Sequence, residues 1–150
     1  MKISTAEKVV FAFLLFVAAM LLMRIAYGNT YRYVFLMWNL FLAWVPFQIS
    51  IAIANNGHHN KWVKYFLVLC WLLFFPNALY IITDLVHLEN SGGIVPVWFD
   101  VVLLFTSSIT GLVMAFVSLY QVENFIRKKV SAKHTNKLVF AALFLGSFGV

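Results

Sequence analysis

Charged residues are scarce in this chain. Only 11% of its 150 residues are Asp, Glu, Lys or Arg, and 63% are apolar. An ordinary soluble domain carries about 25% charged residues, because its surface must contact water. The composition therefore excludes such a domain, and we expect lipid to be the main solvent of this chain.

Cysteine and the common catalytic motifs are also lacking. The single cysteine, Cys70, lies inside an apolar run. It excludes an intrachain disulfide and a cysteine-based metal motif, and we interpret it as a small apolar residue within a helix. A nucleotide-binding glycine loop, a Gly-x-Ser-x-Gly elbow and a His-Glu-x-x-His motif do not occur. The sequence thus carries no signature of a familiar reaction.

Long apolar runs dominate what is present. A bilayer core about 30 Å thick requires about 20 apolar residues in a helix, and four runs approach this length, at 9–27, 33–54, 62–82 and 97–119. A fifth run, 138–150, would extend only about 20 Å at about 1.5 Å per residue. We predict an all-α transmembrane helix bundle, a single membrane domain over residues 1–150, with five spans. The last span is short, and we expect it to be truncated.

Lysine and arginine are unevenly divided between the two sides of this bundle. Arg24 and Arg32 fall on one side, and the other nine fall in the N-terminal tail and the second and fourth loops. Because cytoplasmic loops are enriched in Lys and Arg, we predict a cytoplasmic N-terminus. The net charge of +6 then reflects orientation and contact with lipid headgroups, and we predict no nucleic-acid partner.

The third run contains a polar interruption, F-F-P-N-A-L-Y-I-I-T-D-L-V-H-L, at residues 74–88. Pro76 removes a backbone donor and disturbs the preceding turn, which a membrane tolerates only where protein or water satisfies the freed groups. A continuous helix would place four polar side chains on one face, at Asn77, Tyr80, Asp84 and His87. We therefore predict a bent helix whose polar face avoids lipid.

The second and fourth runs carry matching small or polar faces. In the second run this face comprises Asn39, Ala43, Pro46 and Ser50; in the fourth it comprises Asp100, Ser107, Gly111, Ala115 and Ser118. The first run has no polar side chain between residues 9 and 23. We predict that spans two to four form the core around an outward-facing polar pocket, and that span one lies at the periphery.

Polar side chains in a membrane are costly and mark candidate sites. We predict a substrate-binding or ion-binding set near the outer boundary, comprising Asn39, Asn77, Tyr80, Asp84, His87 and Asp100. Several of these have structural alternatives. Asp84 and His87 could form a helix-end hydrogen bond or ion pair, Asp100 could stabilise a helix N-terminus, and Asn39 and Asn77 could bond each other. A metal shared by Asp84 and His87 would need further ligands, such as Asp100 or Glu89.

Two stretches resemble a known family. W-N-L-F-L-A-W-V-P-F (38–47) and F-P-N-A-L-Y-I-I-T-D-L-V-H-L (75–88) are together similar to bacterial integral membrane proteins catalogued as a domain of unknown function, number thirteen sixty-one. The resemblance implies a cytoplasmic (inner) membrane location and a longer chain, but no activity. Family members commonly have a second proline where this chain has Leu79, so we expect a milder bend.

Three functional classes remain open. The chain could bind or pass a small solute or ion, with Asp84 and His87 as gate or proton partners. It could be a membrane-embedded enzyme acting on a lipid-linked substrate, with Asp84 and His87 as the acid/base pair and Arg24 or Arg32 holding a phosphate. It could also be a structural or accessory subunit, in which the polar faces only join helices.

Overall fold

The computed structural model describes residues 5–29, 31–55, 60–90, 95–128 and 132–148. They form five α-helices and one 3₁₀ helix, in the order α1 (Thr5–Gly28), α2 (Phe35–Asn55), α3 (Lys61–Tyr80), the 3₁₀ helix (Ile81–Asn90), α4 (Val97–Arg127) and α5 (Ala132–Phe148). These ranges contain no β-strand, so the predicted all-α class is confirmed.

Four segments are long and apolar enough to cross a membrane: Thr5–Gly28, Phe35–Asn55, Trp62–His87 and Val97–Arg127. They correspond to the first four predicted spans. The helix α5 has 17 residues, which at about 1.5 Å per residue extends about 25 Å and falls short of a bilayer core of about 30 Å.

The helix α4 lies at the centre of the bundle. It contacts α1, α2, α3, the 3₁₀ helix and α5, and its small residues Ser107, Gly111, Ala115 and Ser118 are all buried. A Cβ atom added to Gly111 would overlap the Ile81 side chain and lie 3.3 Å from the carbonyl oxygen of Ala78. Small residues therefore let α4 approach the third helix closely, as is common between membrane helices.

Helix boundaries differ from the predicted spans, most clearly at the end of α4 and at the start of α2. The helix α4 continues past Leu119 to Arg127, where the Arg127 Nη2 atom lies 2.7 Å from the Glu123 carboxylate one turn earlier. Such a pair supports a helix that extends beyond its apolar run. The helix α2 begins at Phe35, so Tyr33 belongs to the preceding turn.

The third helix changes geometry at Ile81. It remains α-helical through Pro76 to Tyr80 and then becomes a 3₁₀ helix. A 3₁₀ helix has about 3 residues per turn, so a step of four residues no longer returns to the same face. Tyr80 is 48% exposed whereas Asp84 is 3% exposed. The predicted single polar face is therefore wrong beyond Tyr80.

Candidate functional site

Polar side chains converge at one end of the bundle, where α1 ends, α2 begins, the 3₁₀ helix lies and α4 begins. We call this the Asp100 end, and its members are Arg24, Tyr33, Asn39, Asp84, His87 and Asp100. Five of them form two hydrogen-bonded groups, Arg24–Asp100–Tyr33 and Asn39–Asp84, and His87 makes an aromatic contact.

The first group is a buried ion pair. Arg24 Nε donates to Asp100 Oδ1 at 2.6 Å, and Arg24 Nη2 donates to Asp100 Oδ2 at 3.2 Å. The two side chains are 4% and 1% exposed. Planar two-point contacts of this kind are the strongest that arginine makes with a carboxylate. Asp100 also lies in the first turn of α4, where the helix dipole favours a negative charge.

Tyr33 completes this group from the turn before α2. Its hydroxyl donates to Asp100 Oδ2 at 3.2 Å, and the Arg24 guanidinium carbon lies 5.5 Å from the centre of its ring. Burial raises the pKa of Tyr33 above its usual value of 10.0, and the nearby Asp100 carboxylate raises it further. Tyr33 is therefore a neutral hydrogen-bond donor over the physiological pH range.

The second group joins α2 to the 3₁₀ helix. The Asn39 side-chain nitrogen donates to both carboxylate oxygens of Asp84, at 2.9 Å and 2.8 Å. In the part of the chain that the structure describes, no lysine or arginine lies within ion-pair distance of Asp84. Asp84 is thus a buried carboxylate whose hydrogen-bond partner is a neutral amide, whereas Asp100 is neutralised by an arginine.

His87 lies at the surface of the Asp100 end, one 3₁₀ turn beyond Asp84. Its ring packs on Phe35 with the ring centres 4.8 Å apart, and Phe35 lies 6.3 Å from the ring of Tyr33. A row of rings therefore extends from Tyr33, which bonds Asp100, through Phe35 to His87. His87 is the exposed member of this row nearest to Asp84.

Three of the predicted site residues are not part of these groups. The Asn77 side chain donates to the carbonyl oxygen of Phe74 at 3.2 Å, within its own helix. Asn39 and Asn77 therefore do not bond each other, as one alternative proposed. The Asn77 bond instead satisfies a backbone carbonyl group in the turn that contains Pro76. Tyr80 and Arg32 are exposed. The side chain of Glu89 lies outside the described residues.

Sequence reasoning missed the specific pairing of Arg24 with Asp100 and the role of Tyr33. Arg24 could have indicated such a pair, because a buried arginine at the end of an apolar helix requires a carboxylate partner. Two further cross-helix bonds were also missed. Trp71 Nε1 donates to Ser118 Oγ at 2.6 Å, and Ser50 Oγ donates to Gln121 Oε1 at 2.9 Å.

The described residues bring no three His, Cys, Asp or Glu side chains together as a metal site would require. Their buried side-chain nitrogen and oxygen atoms all have hydrogen-bond partners. A cavity of about 650 Å³ lies elsewhere, between α1 and α2, and is mainly apolar. Within each of the two groups at the Asp100 end, the polar side chains thus bond one another directly.

Apolar helices of membrane-crossing length, joined by buried polar contacts, define this chain as a membrane protein. The family model for proteins of unknown function, DUF1361, matches residues 38–150, and the chain belongs to this family. The matched region includes Asn39, Asp84, His87 and Asp100, while Arg24 and Tyr33 precede it. No curated protein and no solved structure is similar enough to this chain to count as a match.

Proposed function

We propose that this is a multi-pass protein of the cytoplasmic membrane that binds a proton or a small cation at Asp84. The observation that carries the proposal is the contrast between two buried carboxylates. Asp100 has a guanidinium partner at 2.6 Å, whereas Asp84 has the neutral amide of Asn39. Among the described residues, Asp84 therefore has no lysine or arginine as a counter-charge.

Electrostatics explains why this contrast favours a ligand. An isolated carboxylate is expensive to bury in an apolar medium, and it is tolerated when a proton, a cation or a paired side chain neutralises it. Asp84 lies within the candidate span Trp62–His87 and is 3% exposed. A proton or a small cation supplies the missing charge, and Asn39 holds the carboxylate in a defined orientation.

His87 provides access from the Asp100 end. It is exposed to solvent and lies one 3₁₀ turn from Asp84. An imidazole ring has nitrogen atoms that can donate and accept hydrogen bonds, so His87 is the side chain that we propose to pass a proton between water and the buried carboxylate. Because the described lysines and arginines outside this end lie mostly at the opposite end, the positive-inside rule orients the Asp100 end away from the cytoplasm.

Next to Asp84, on the side away from the Asp100 end, the third helix and α4 pack tightly against each other. Ile81 and Leu104 are fully buried, and Ser108 Oγ donates to the carbonyl oxygen of Ile81 at 3.2 Å. This packing favours reversible binding from one side. Passage across the membrane would require the third helix to separate from α4 between Asp84 and the opposite end of the bundle.

A structural or accessory role is the second candidate. It is favoured by the cross-helix bonds Arg24–Asp100, Trp71–Ser118 and Ser50–Gln121, which use polar side chains to join helices. In the enzyme alternative, Arg24 is engaged by Asp100 and is not available to hold a phosphate, which leaves the exposed Arg32 as the candidate for that role.

The test compares Asp84→Asn with wild type in lipid nanodiscs. Infrared difference spectra between pH 4 and pH 9 should show one buried carboxyl group that gains and loses a proton, and ²²Na⁺ binding at alkaline pH tests cation uptake. Asp84→Asn preserves shape and should abolish the carboxyl band and any ²²Na⁺ binding. The matched control, Glu123→Gln, alters a partly exposed carboxylate at the other end of α4 and should leave both signals unchanged.

Two results would decide against binding at Asp84. One is an Asp84 carboxylate that stays ionised throughout this range and binds no ²²Na⁺. The other is loss of thermal stability in Asp84→Asn while both binding signals persist. The second result would establish the structural role instead.

A further inference from the structure

We infer that the groove between α1 and α2 holds one acyl chain of a membrane phospholipid, with the lipid phosphate beside Lys8. This inference does not depend on the ligand proposed for Asp84. It rests on the shape of the groove, on its length and on the position of its polar residues.

The groove exists because α1 and α2 pack against other helices. The helix α1 packs against α4, and α2 packs against both α3 and α4. The space between them measures about 650 Å³, and its walls include Phe11, Leu14 and Ala18 from α1 and Phe41 and Trp44 from α2. Phe11 and Phe41 are 62% and 48% exposed, so the groove is open along one side to the surrounding membrane.

The α1 wall of the groove has the length of one leaflet. It extends from Glu7 to Ala18, which is about 16 Å at about 1.5 Å per residue, and half of a bilayer core of about 30 Å is about 15 Å. The α2 wall extends from Gln48 to Met37, and Met37 lies near the start of α2, at the Asp100 end. An acyl chain that enters beside Lys8 can therefore extend along the whole α1 wall.

The polar residues of the groove lie at one end, as a lipid headgroup requires. Glu7, Lys8 and Gln48 form this end, and it is the end remote from Arg24 and Asp100. Lys8 is exposed. A lysine at the boundary of the membrane attracts lipid phosphate by its charge, and the apolar walls then receive the chain attached to that phosphate.

The experiment uses the full chain in nanodiscs that contain a phospholipid with a photoreactive diazirine in its acyl chain. After illumination, mass spectrometry of peptides measures which residues carry the lipid. We expect labelling to concentrate on the groove walls of α1 and α2. Ala18→Trp, which fills the groove at the far end of its α1 wall, should reduce labelling at these walls at least fivefold.

Two matched controls separate the groove from general lipid contact. Ala19→Trp makes the same change at the neighbouring residue, which is exposed and does not line the groove, and labelling should stay within twofold of wild type. Lys8→Gln should lower labelling severalfold, whereas Lys128→Gln, at an exposed residue beyond α4, should not.

Three results would overturn the inference. Labelling could spread evenly over all exposed apolar helix faces, or remain unchanged in Ala18→Trp. In a separate measurement, oxidation of an Ala18→Cys, Cys70→Ser variant could instead yield disulfide-linked dimers, which would show that a second copy covers the groove. Identical circular dichroism spectra of the variants would confirm that a change in labelling does not reflect misfolding.

Discussion

Arg24 and Asp100 form a buried ion pair between residues 76 positions apart in the chain. The contact joins the end of α1 to the first turn of α4. Many of the apolar side chains of α1 are exposed, including Phe11 and Leu22, so hydrophobic contact with the bundle covers only part of this helix. The ion pair therefore supplies a specific attachment at the Asp100 end.

Breaking this pair should destabilise the protein strongly. Asp100→Asn leaves the Arg24 guanidinium buried without a counter-charge, and we expect the free energy of unfolding to fall by about 3–5 kcal/mol. Equilibrium unfolding in mixed micelles of increasing SDS content measures this change. Replacing both partners, as Arg24→Met with Asp100→Leu, should recover much of the loss because no unpaired charge remains.

The control for this prediction is the exposed pair at the other end of α4. Arg127→Gln breaks its contact with Glu123, for which we expect a loss of less than about 1 kcal/mol. An Asp100→Asn loss as small as the Arg127→Gln loss would contradict the assignment of a buried, desolvated pair.

Tyr33 should make the protein sensitive to alkali. Its pKa is raised in the folded state by burial and by Asp100, so the folded chain retains the phenolic proton more strongly than the unfolded chain. The resulting stabilisation is complete below pH 10 and is lost as the pH rises through the higher folded pKa. Melting temperatures measured between pH 8 and pH 12 should fall above pH 10.

Tyr33→Phe removes the phenol and should flatten this alkaline decline, while slightly lowering stability at pH 8 through loss of the hydrogen bond to Asp100. Tyr31→Phe, at a residue that is 77% exposed, is the matched control and should retain the decline. An unaltered pH profile in Tyr33→Phe would rule out Tyr33 as its source.

Gly111→Ala should disturb the contact between α4 and the third helix. The new methyl group overlaps the Ile81 side chain and lies 3.3 Å from the carbonyl oxygen of Ala78. We expect a loss of about 1–3 kcal/mol, typical of overpacking, measured by the same SDS unfolding. Gly146→Ala should be tolerated better, because its methyl group meets the flexible end of the Leu79 side chain. Equal losses in the two variants would argue against a rigid contact at Gly111.

Much of the fold could be predicted from local pattern. Helices of membrane-crossing length follow from uninterrupted apolar runs, since lipid demands internally satisfied backbones. The small residues around Gly111 indicated the buried face of α4, which the structure confirms. The boundaries were less predictable. Glu123 and Arg127 extend α4 beyond its apolar run through a contact between side chains one turn apart.

The pairing of polar residues could not be predicted in the same way. Hydropathy placed Arg24, Asp84 and Asp100 near one end of the bundle, but it does not determine which carboxylate receives the arginine. That choice depends on how each helix is rotated about its axis and on the change to 3₁₀ geometry at Ile81, which turns Asp84 toward Asn39.

The sequence alone therefore determined the membrane environment, the helical class and the end of the bundle at which Arg24, Asp84 and Asp100 lie, because these properties follow from composition, length and position along the apolar runs. Only the tertiary structure decided that Asp100 is neutralised by Arg24 while Asp84 is bonded to an amide. The physical reason is that a buried charge is stabilised by groups within a few ångströms, and those distances are set by packing between helices.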